Sequence, residues 1–213
     1  MSVAENLAAV KDRIRRAGGD PDAITIVAVT KGFGAQTCRG ALGAGLTVLG
    51  ENRVQEALQK MREISGAQWH LIGHLQTNKV KPAAHRFELI QSVDSRHLAD
   101  AIARIDPKQA VLVEVNVARE AQKTGVAPDE ALGLVEDVAN LLDLRGLMGM
   151  GPADADPSPA FHELRTLRDE AQQRIGRSLP ILSMGMSSDF EAAVAAGSTM
   201  LRLGTALFGA RPR

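Results

Sequence analysis

AITIVAVTK, residues 23–31, is an almost unbroken apolar and β-branched run that ends on a lysine. It is too short for a typical core helix, and its composition is that of a strand buried on both faces, whose natural home is a parallel sheet. Similar runs recur as LTVLGEN at 46–52, QWHLIGH at 68–74, LIQSVDS at 89–95, AVLVEVNV at 110–117, LRGLMGMG at 144–151, PILSMGM at 180–186 and TMLRLGTA at 199–206. Counted with the first, they make eight candidate strands. Helical patterns separate them, roughly at 36–44, 53–64, 77–84, 95–105, 128–142, 159–175 and 189–196, several opening at Asn, Asp or Ser and closing at Gly. Ahead of the first strand, Val3, Leu7, Val10 and Ile14 stand at three- and four-residue steps, and Gly18-Gly19 closes an amphipathic helix.

Eight strand–helix units in 213 residues leave about 27 residues each, short but workable for a (β/α)8 barrel. An open doubly wound sheet of the dinucleotide-binding kind should carry a glycine-rich fingerprint after its first strand, and the loop there reads KGFGAQ rather than GxGxxG. The expected fold is therefore α/β, a (β/α)8 TIM-type barrel with an extra N-terminal helix, forming one domain over residues 1–213. No linker divides it, and the Pro- and Ala-rich GPADADPSPA at 151–160 reads as one βα loop.

Composition narrows the partners. Twenty-five Lys and Arg against 25 Asp and Glu leave no bulk field to favour nucleic acid or an anionic membrane surface. Aromatics are 3%, with no tyrosine, which argues against a base-stacking platform. Lys79 and Lys81 are too few and too local to make a basic patch. One cysteine, Cys38, excludes an internal disulfide framework and suits a reducing cytoplasm. The N-terminal stretch mixes charge with apolar residues and reads as neither signal peptide nor anchor. A small-molecule partner, a cytoplasmic location and a monomer without nucleic-acid or membrane binding are the expectations.

In a barrel of this kind ligands bind at the carboxyl ends of the strands, so the polar residues that finish each apolar run are the candidates. Lys31 is one; a lysine at a strand end commonly snorkels to water, but at the mouth of an apolar barrel a desolvated amine can condense with an aldehyde. Ser187-Ser188-Asp189 precede the apolar FEAAVAA, either as an ordinary N-cap or as an anion-binding helix start. In the following strand Gly204 allows close backbone approach, Thr205 supplies an N–H and a hydroxyl, and barrels often hold phosphate between the last two loops. Arg202 is a permanent cation inside an apolar run, needing a carboxylate, a carbonyl or a ligand acceptor. Asn52 is a plausible ligand contact, whereas Glu51 and Arg53 can satisfy each other or begin a helix. Glu114 and Asn116 share one strand face and suit either the upper barrel or each other. His70 and His74 stand a pleat and more apart with no local acidic or thiol ligand, so no metal is expected. Met148, Met150, Met184 and Met186 read as core filling, and Cys38 has no assigned role.

VAVTK at 27–31, GENRVQEALQK at 50–60, WHLIGHLQTNK at 69–79, SVDS at 92–95, LRGLMGM at 144–150 and LSMGMSSDFEAAVAAGSTMLRLGTALFGAR at 182–211 together resemble the pyridoxal phosphate homeostasis (YggS/PROSC) family across nearly the whole chain. The resemblance implies a barrel like the amino-terminal domain of alanine racemase, with pyridoxal 5′-phosphate held as a Schiff base on Lys31. It further implies phosphate contacts at Ser183, Met184, Gly204 and Thr205, Arg202 opposite the pyridine nitrogen, and Asn52 beside the ring. The implied role is vitamin B6 homeostasis, carrying the cofactor with little or no catalysis and handing it transiently to apo-enzymes. The competing expectation is an amino-acid racemase or lyase with Lys31 as one base and His70 or Lys123 as another.

Overall fold

A computed structural model describes residues 2–210; Met1 and residues 211–213, the last of which end the single-domain range and the final matching segment, lie outside them. The eight expected strands are all present, as β1 (Thr25–Val29), β2 (Val48–Glu51), β3 (Gln68–Leu71), β4 (Leu89–Val93), β5 (Ala110–Val115), β6 (Asp143–Gly149), β7 (Ile181–Ser183) and β8 (Met200–Leu203). Every neighbouring pair is parallel, and β8 closes on β1, giving a barrel in strand order 1 to 8.

Helices cover the outside: α1 (Val3–Arg16), α2 (Ala35–Gly43), α3 (Val54–Met61), α4 (Val80–Ala83), α5 (Arg96–Ala103), α6 (Pro128–Leu141), α7 (Ser158–Ile175), α8 (Phe190–Ala195) and α9 (Thr205–Phe208). The extra helix α1 starts on a capping box, in which Glu5 donates its amide to the Ser2 hydroxyl and accepts the Ser2 amide. Two segments depart from the sequence reading. The expected helix at 77–84 is a 3-10 turn, Thr77–Lys79, running into the single turn α4, with Pro82 in a stretch too short for a regular helix. The last strand was expected to reach 206 but stops at Leu203, and Thr205 opens α9.

Strand alternation sorts the side chains into two compartments. The larger core lies between barrel and helices and contains Phe161, Leu164 and Phe190, all with no exposure. A second cluster, Val27, Leu89, Leu112, Met148 and Met200, is separate from it. These residues plug the barrel, and the side chains two positions further along their strands, Val29, Gln91, Glu114, Met150 and Arg202, face the same interior nearer the carboxyl end. The apolar plug is thus the floor on which the polar residues stand.

Between β5 and β6 the register slips, from Val111 opposite Leu144 to Leu112 opposite Gly146. At this bulge a Cβ on Gly146 would fall inside the Ile181 carbonyl of β7, backbone that has no room to yield. Gly146→Ala should therefore cost about 3 kcal/mol of unfolding free energy, measured by urea titration. A loss under 1 kcal/mol would mean that the barrel relaxes here more freely than this packing allows.

Candidate functional site

At the carboxyl end of the barrel lies a cavity of about 600 Å3, lined among others by Val29, Lys31, Asn52, Glu114, Arg202, Gly204 and Thr205. Lys31 follows β1, Asn52 follows β2 and Arg202 lies within β8, so three of the expected residues arrive from three strand ends. Gly73 makes room for Asn52: a Cβ there would sit 2.7 Å from the Asn52 Cα. Ser183 and Met184, the other two expected phosphate contacts, are not on the wall. Both have no exposure, and the Met184 amide is committed to the Met200 carbonyl. Beyond β7, Met184 and Gly185 (φ 96°) carry the chain outward, so the cavity is met instead by Met186, Ser187 and Ser188.

The Ser187 hydroxyl accepts hydrogen bonds from the Gly204 amide at 3.3 Å and the Ala206 amide at 3.0 Å. Amide donors therefore already converge on an oxygen in the gap between the last two loops. The Asp189 carboxylate does not cap outward; it accepts the Met186 amide at 2.6 Å and closes its own loop. Of the two readings of this segment, ordinary N-cap and anion-binding helix start, Asp189 holds the N-cap position of α8 without a side-chain capping bond, and Ser187 and Ser188 lie on the cavity wall.

Arg202 is 4% exposed and donates to the Ser183 carbonyl at 2.8 Å, the Ser183 hydroxyl at 2.7 Å and the Gly149 carbonyl at 2.9 Å. Its partners are carbonyls and a hydroxyl rather than a carboxylate. Burial lowers its pKa to about 10, against the favourable charges of Glu114 and Asp189, so the guanidinium stays cationic at neutral pH. The Ser183 hydroxyl in turn donates to Gln91 Oε1 at 2.7 Å, and Gln91 Nε2 lies 3.0 Å from His70 Nδ1. A polar chain thus crosses the barrel from Arg202 to His70 above the apolar plug.

Glu114 is 2% exposed; its Oε1 accepts from the Thr124 hydroxyl at 2.7 Å, its Oε2 has no partner, and burial raises its pKa. Asn116, expected on the same face, instead donates to the Glu120 and Lys123 carbonyls and shapes the β5–α6 loop. Glu51 pairs with Lys60 of α3 at 2.6 Å rather than with Arg53. Met148 and Met184 fill core, but Met150 and Met186 line the cavity. His74 lies on the cavity 3.1 Å from Asp94. Among the described residues no group of three His, Cys, Asp or Glu could hold a metal. Cys38 is buried, and desolvation pushes its thiol pKa up. No helix among the described residues is long and apolar enough to cross a membrane.

Of the lining residues, Phe33, Ile72, Gly73 and Thr124 escaped the sequence reading, Met150 and Met186 were read as core filling, and Ser187 and Ser188 were seen only as part of a helix start. The glycine at 185, which turns the chain after the apolar run, is the signal that moves the site outward by three residues.

Burial lowers the pKa of His70, 6% exposed, from 6.5 to about 4. Between those values the unfolded chain binds a proton that the folded one refuses, so stability held in full above pH 6.5 is lost as pH falls towards 4. The loss should reach about 3 kcal/mol at most, read from urea unfolding at stepped pH. His70→Gln should flatten that slope; an unchanged slope would assign the acid sensitivity to carboxylates.

Residues 2–212 match the family model for the alanine racemase N-terminal domain. A pyridoxal phosphate homeostasis protein of Aquifex aeolicus is 41% identical over 99% of both chains, and that of Escherichia coli K12 is 37% identical over 98% of this chain and 97% of its own. The structure of PipY from Synechococcus elongatus PCC7942 with PLP bound superposes with a TM-score of 0.86 at 34% identity, covering 98% of this chain and all of that one. Alanine racemase from Corynebacterium glutamicum, at 19% identity and a TM-score of 0.78 over 60% of its length, shares the fold.

Proposed function

This chain belongs to the pyridoxal phosphate homeostasis protein family, and from that premise we propose that it binds pyridoxal 5′-phosphate as a Lys31 Schiff base and serves vitamin B6 homeostasis as a carrier and reservoir. The observation that carries the reading is the convergence of an amine, a buried cation and oxygen-directed amides on one cavity. The residues fit the group: the Gly204 and Ala206 amides already hold one oxygen, as they would a phosphate oxygen, with Ser187, Ser188 and Thr205 beside them. Ser183 and Met184 would support this end from beneath. Asn52 would bond an edge of the ring.

The cofactor, when bound, supplies an aldehyde that condenses with amines and a ring that draws electrons from the attached carbon. Arg202, cationic and pinned by Gly149 and Ser183, would oppose protonation of a ring nitrogen beside it. That weakens the electron sink, so the proposed protein sequesters rather than transforms. A racemase or lyase would need a second proton carrier. His70 is buried below the cavity, Lys123 is tied to the Glu120 carboxylate at 3.0 Å and the Gly151 carbonyl at 2.7 Å, and the sequence has no tyrosine. The proposed setting is a monomer in the cytoplasm, with apo-enzymes as transient receivers.

Purified protein should be yellow, and borohydride should fix the cofactor on Lys31, located by peptide mass. Lys31→Ala should lose the covalent adduct with an unchanged circular dichroism spectrum. Adduct mapped to another lysine would overturn the assignment, and amino-acid turnover at about 1 per second or faster would overturn the carrier role. Arg202→Ala should retain the adduct but release cofactor faster in dialysis; unchanged retention would remove Arg202 from the site.

A further inference from the structure

Thr30 and Glu51, the residues just before Lys31 and Asn52, have no exposure and are not on the cavity wall. They meet Lys60 of α3 instead. Lys60, 6% exposed, donates to the Thr30 carbonyl at 2.8 Å, to Glu51 Oε1 at 2.6 Å and to Glu56 Oε1 at 2.8 Å. The same Glu51 oxygen accepts the Thr30 hydroxyl at 2.5 Å, and the same Glu56 oxygen accepts the Gly32 amide at 2.7 Å. The backbone is therefore gripped immediately before and immediately after Lys31, at a turn where Gly32 has a φ of 75°. Through Glu51 the end of β2, which delivers Asn52, is tied into the same cluster.

We propose that Lys60, with Glu51 and Glu56, is a positioning residue that fixes Lys31 against Asn52 and so sets how well the amine meets the cofactor's aldehyde carbon. The inference deepens the function proposed above and rests on it. An ammonium presents three donors from one point, and here all three are used, on one carbonyl and two carboxylates. Stability alone does not call for such a group, since apolar residues of similar volume often replace a buried ion pair without loss. Burial disfavours the Lys60 charge, but the bonds to Glu51 and Glu56 outweigh it and hold the pKa above its ordinary value. Burial likewise disfavours the Glu51 charge, and there it outweighs the bonds to Lys60 and Thr30 and raises the carboxyl pKa.

Lys60→Met alone would strand a buried carboxylate and risks unfolding. The test therefore uses the neutral pair K60M/E51Q, which removes both buried charges together, and E56Q, at a partly exposed position. Each is titrated with pyridoxal 5′-phosphate and with pyridoxine 5′-phosphate, which has an alcohol where the aldehyde would be and cannot join Lys31. Amide exchange at Gly32 is followed without ligand. We expect K60M/E51Q to weaken pyridoxal 5′-phosphate by about tenfold or more, to change pyridoxine 5′-phosphate far less, and to speed Gly32 exchange; E56Q should do the same to a smaller extent. Equal losses for both ligands would mean that the site as a whole collapses, and would overturn the positioning role. So would parent affinities in both variants, or unchanged Gly32 exchange, whatever the parent binds. A parent chain that takes up no pyridoxal 5′-phosphate sinks the proposed function itself, a result recognisable before any variant is made.

Discussion

A guanidinium almost wholly withdrawn from water dictates how the carboxyl end of this barrel is built. Removing Arg202 from solvent would cost several kcal/mol if its donors were left unmade. The barrel answers with the carbonyls of Gly149 and Ser183, at the ends of β6 and β7, and with the Ser183 hydroxyl. That hydroxyl must then donate its own hydrogen bond elsewhere, and the Gln91 side-chain oxygen on β4 accepts it. The glutamine amide in turn lies against His70 on β3. One charge on β8 is therefore linked by hydrogen bonds to polar residues on three other strands, next to the plug formed by Val27, Leu89, Leu112, Met148 and Met200. The same chain explains why Ser183, polar and at a strand end, belongs to the floor of the cavity and not to its wall.

The barrel was legible because each strand is buried on both faces and so reads as a short continuous apolar run, as in AITIVAVTK and AVLVEVNV. Lys31, Asn52, Arg202, Gly204 and Thr205 were legible for a related reason: a polar group or a glycine that ends or interrupts such a run stands out. What escaped was set by geometry that no run records. Gly185 turns the chain after β7, shifting the cavity-facing residues from 183 and 184 to 186–188. Gly204 stops β8 three residues early because the amides of Gly204 and Ala206 turn to the Ser187 hydroxyl, a partner in another loop. Glu51 looked like a match for Arg53, its near neighbour. Its partner is Lys60, a full helix length away in sequence and brought back only by the βα fold.

Two charged layers coexist at this end of the barrel, and they do different work. Arg202 and Glu114 face inward and belong to the cavity, while Lys60 and Glu56 of α3 meet Glu51 at the end of β2, away from the cavity wall. The strand period of two separates them: Thr30 and Lys31, or Glu51 and Asn52, are adjacent in sequence yet serve opposite faces. A ligand in the cavity can therefore be bound by one residue of each pair while its neighbour holds the backbone still. This division suits a site that must present an amine reproducibly without itself moving, because the anchoring bonds are not the bonds a ligand exchanges.

Burial also keeps His70 neutral at physiological pH. If Gln91 Nε2 donates to Nδ1, the ring carries its single proton on Nε2, and taking a second would place an uncompensated charge in the barrel floor. Desolvation accordingly holds its pKa near 4, and the imidazole is a fixed acceptor in the chain that ends at Arg202 rather than a base that cycles. Glu114 is driven the other way, its pKa raised by burial while one carboxylate oxygen accepts the Thr124 hydroxyl. Under the proposed function, a barrel floor whose histidine stays neutral would suit capture and release of the cofactor at Lys31 rather than proton shuttling through His70.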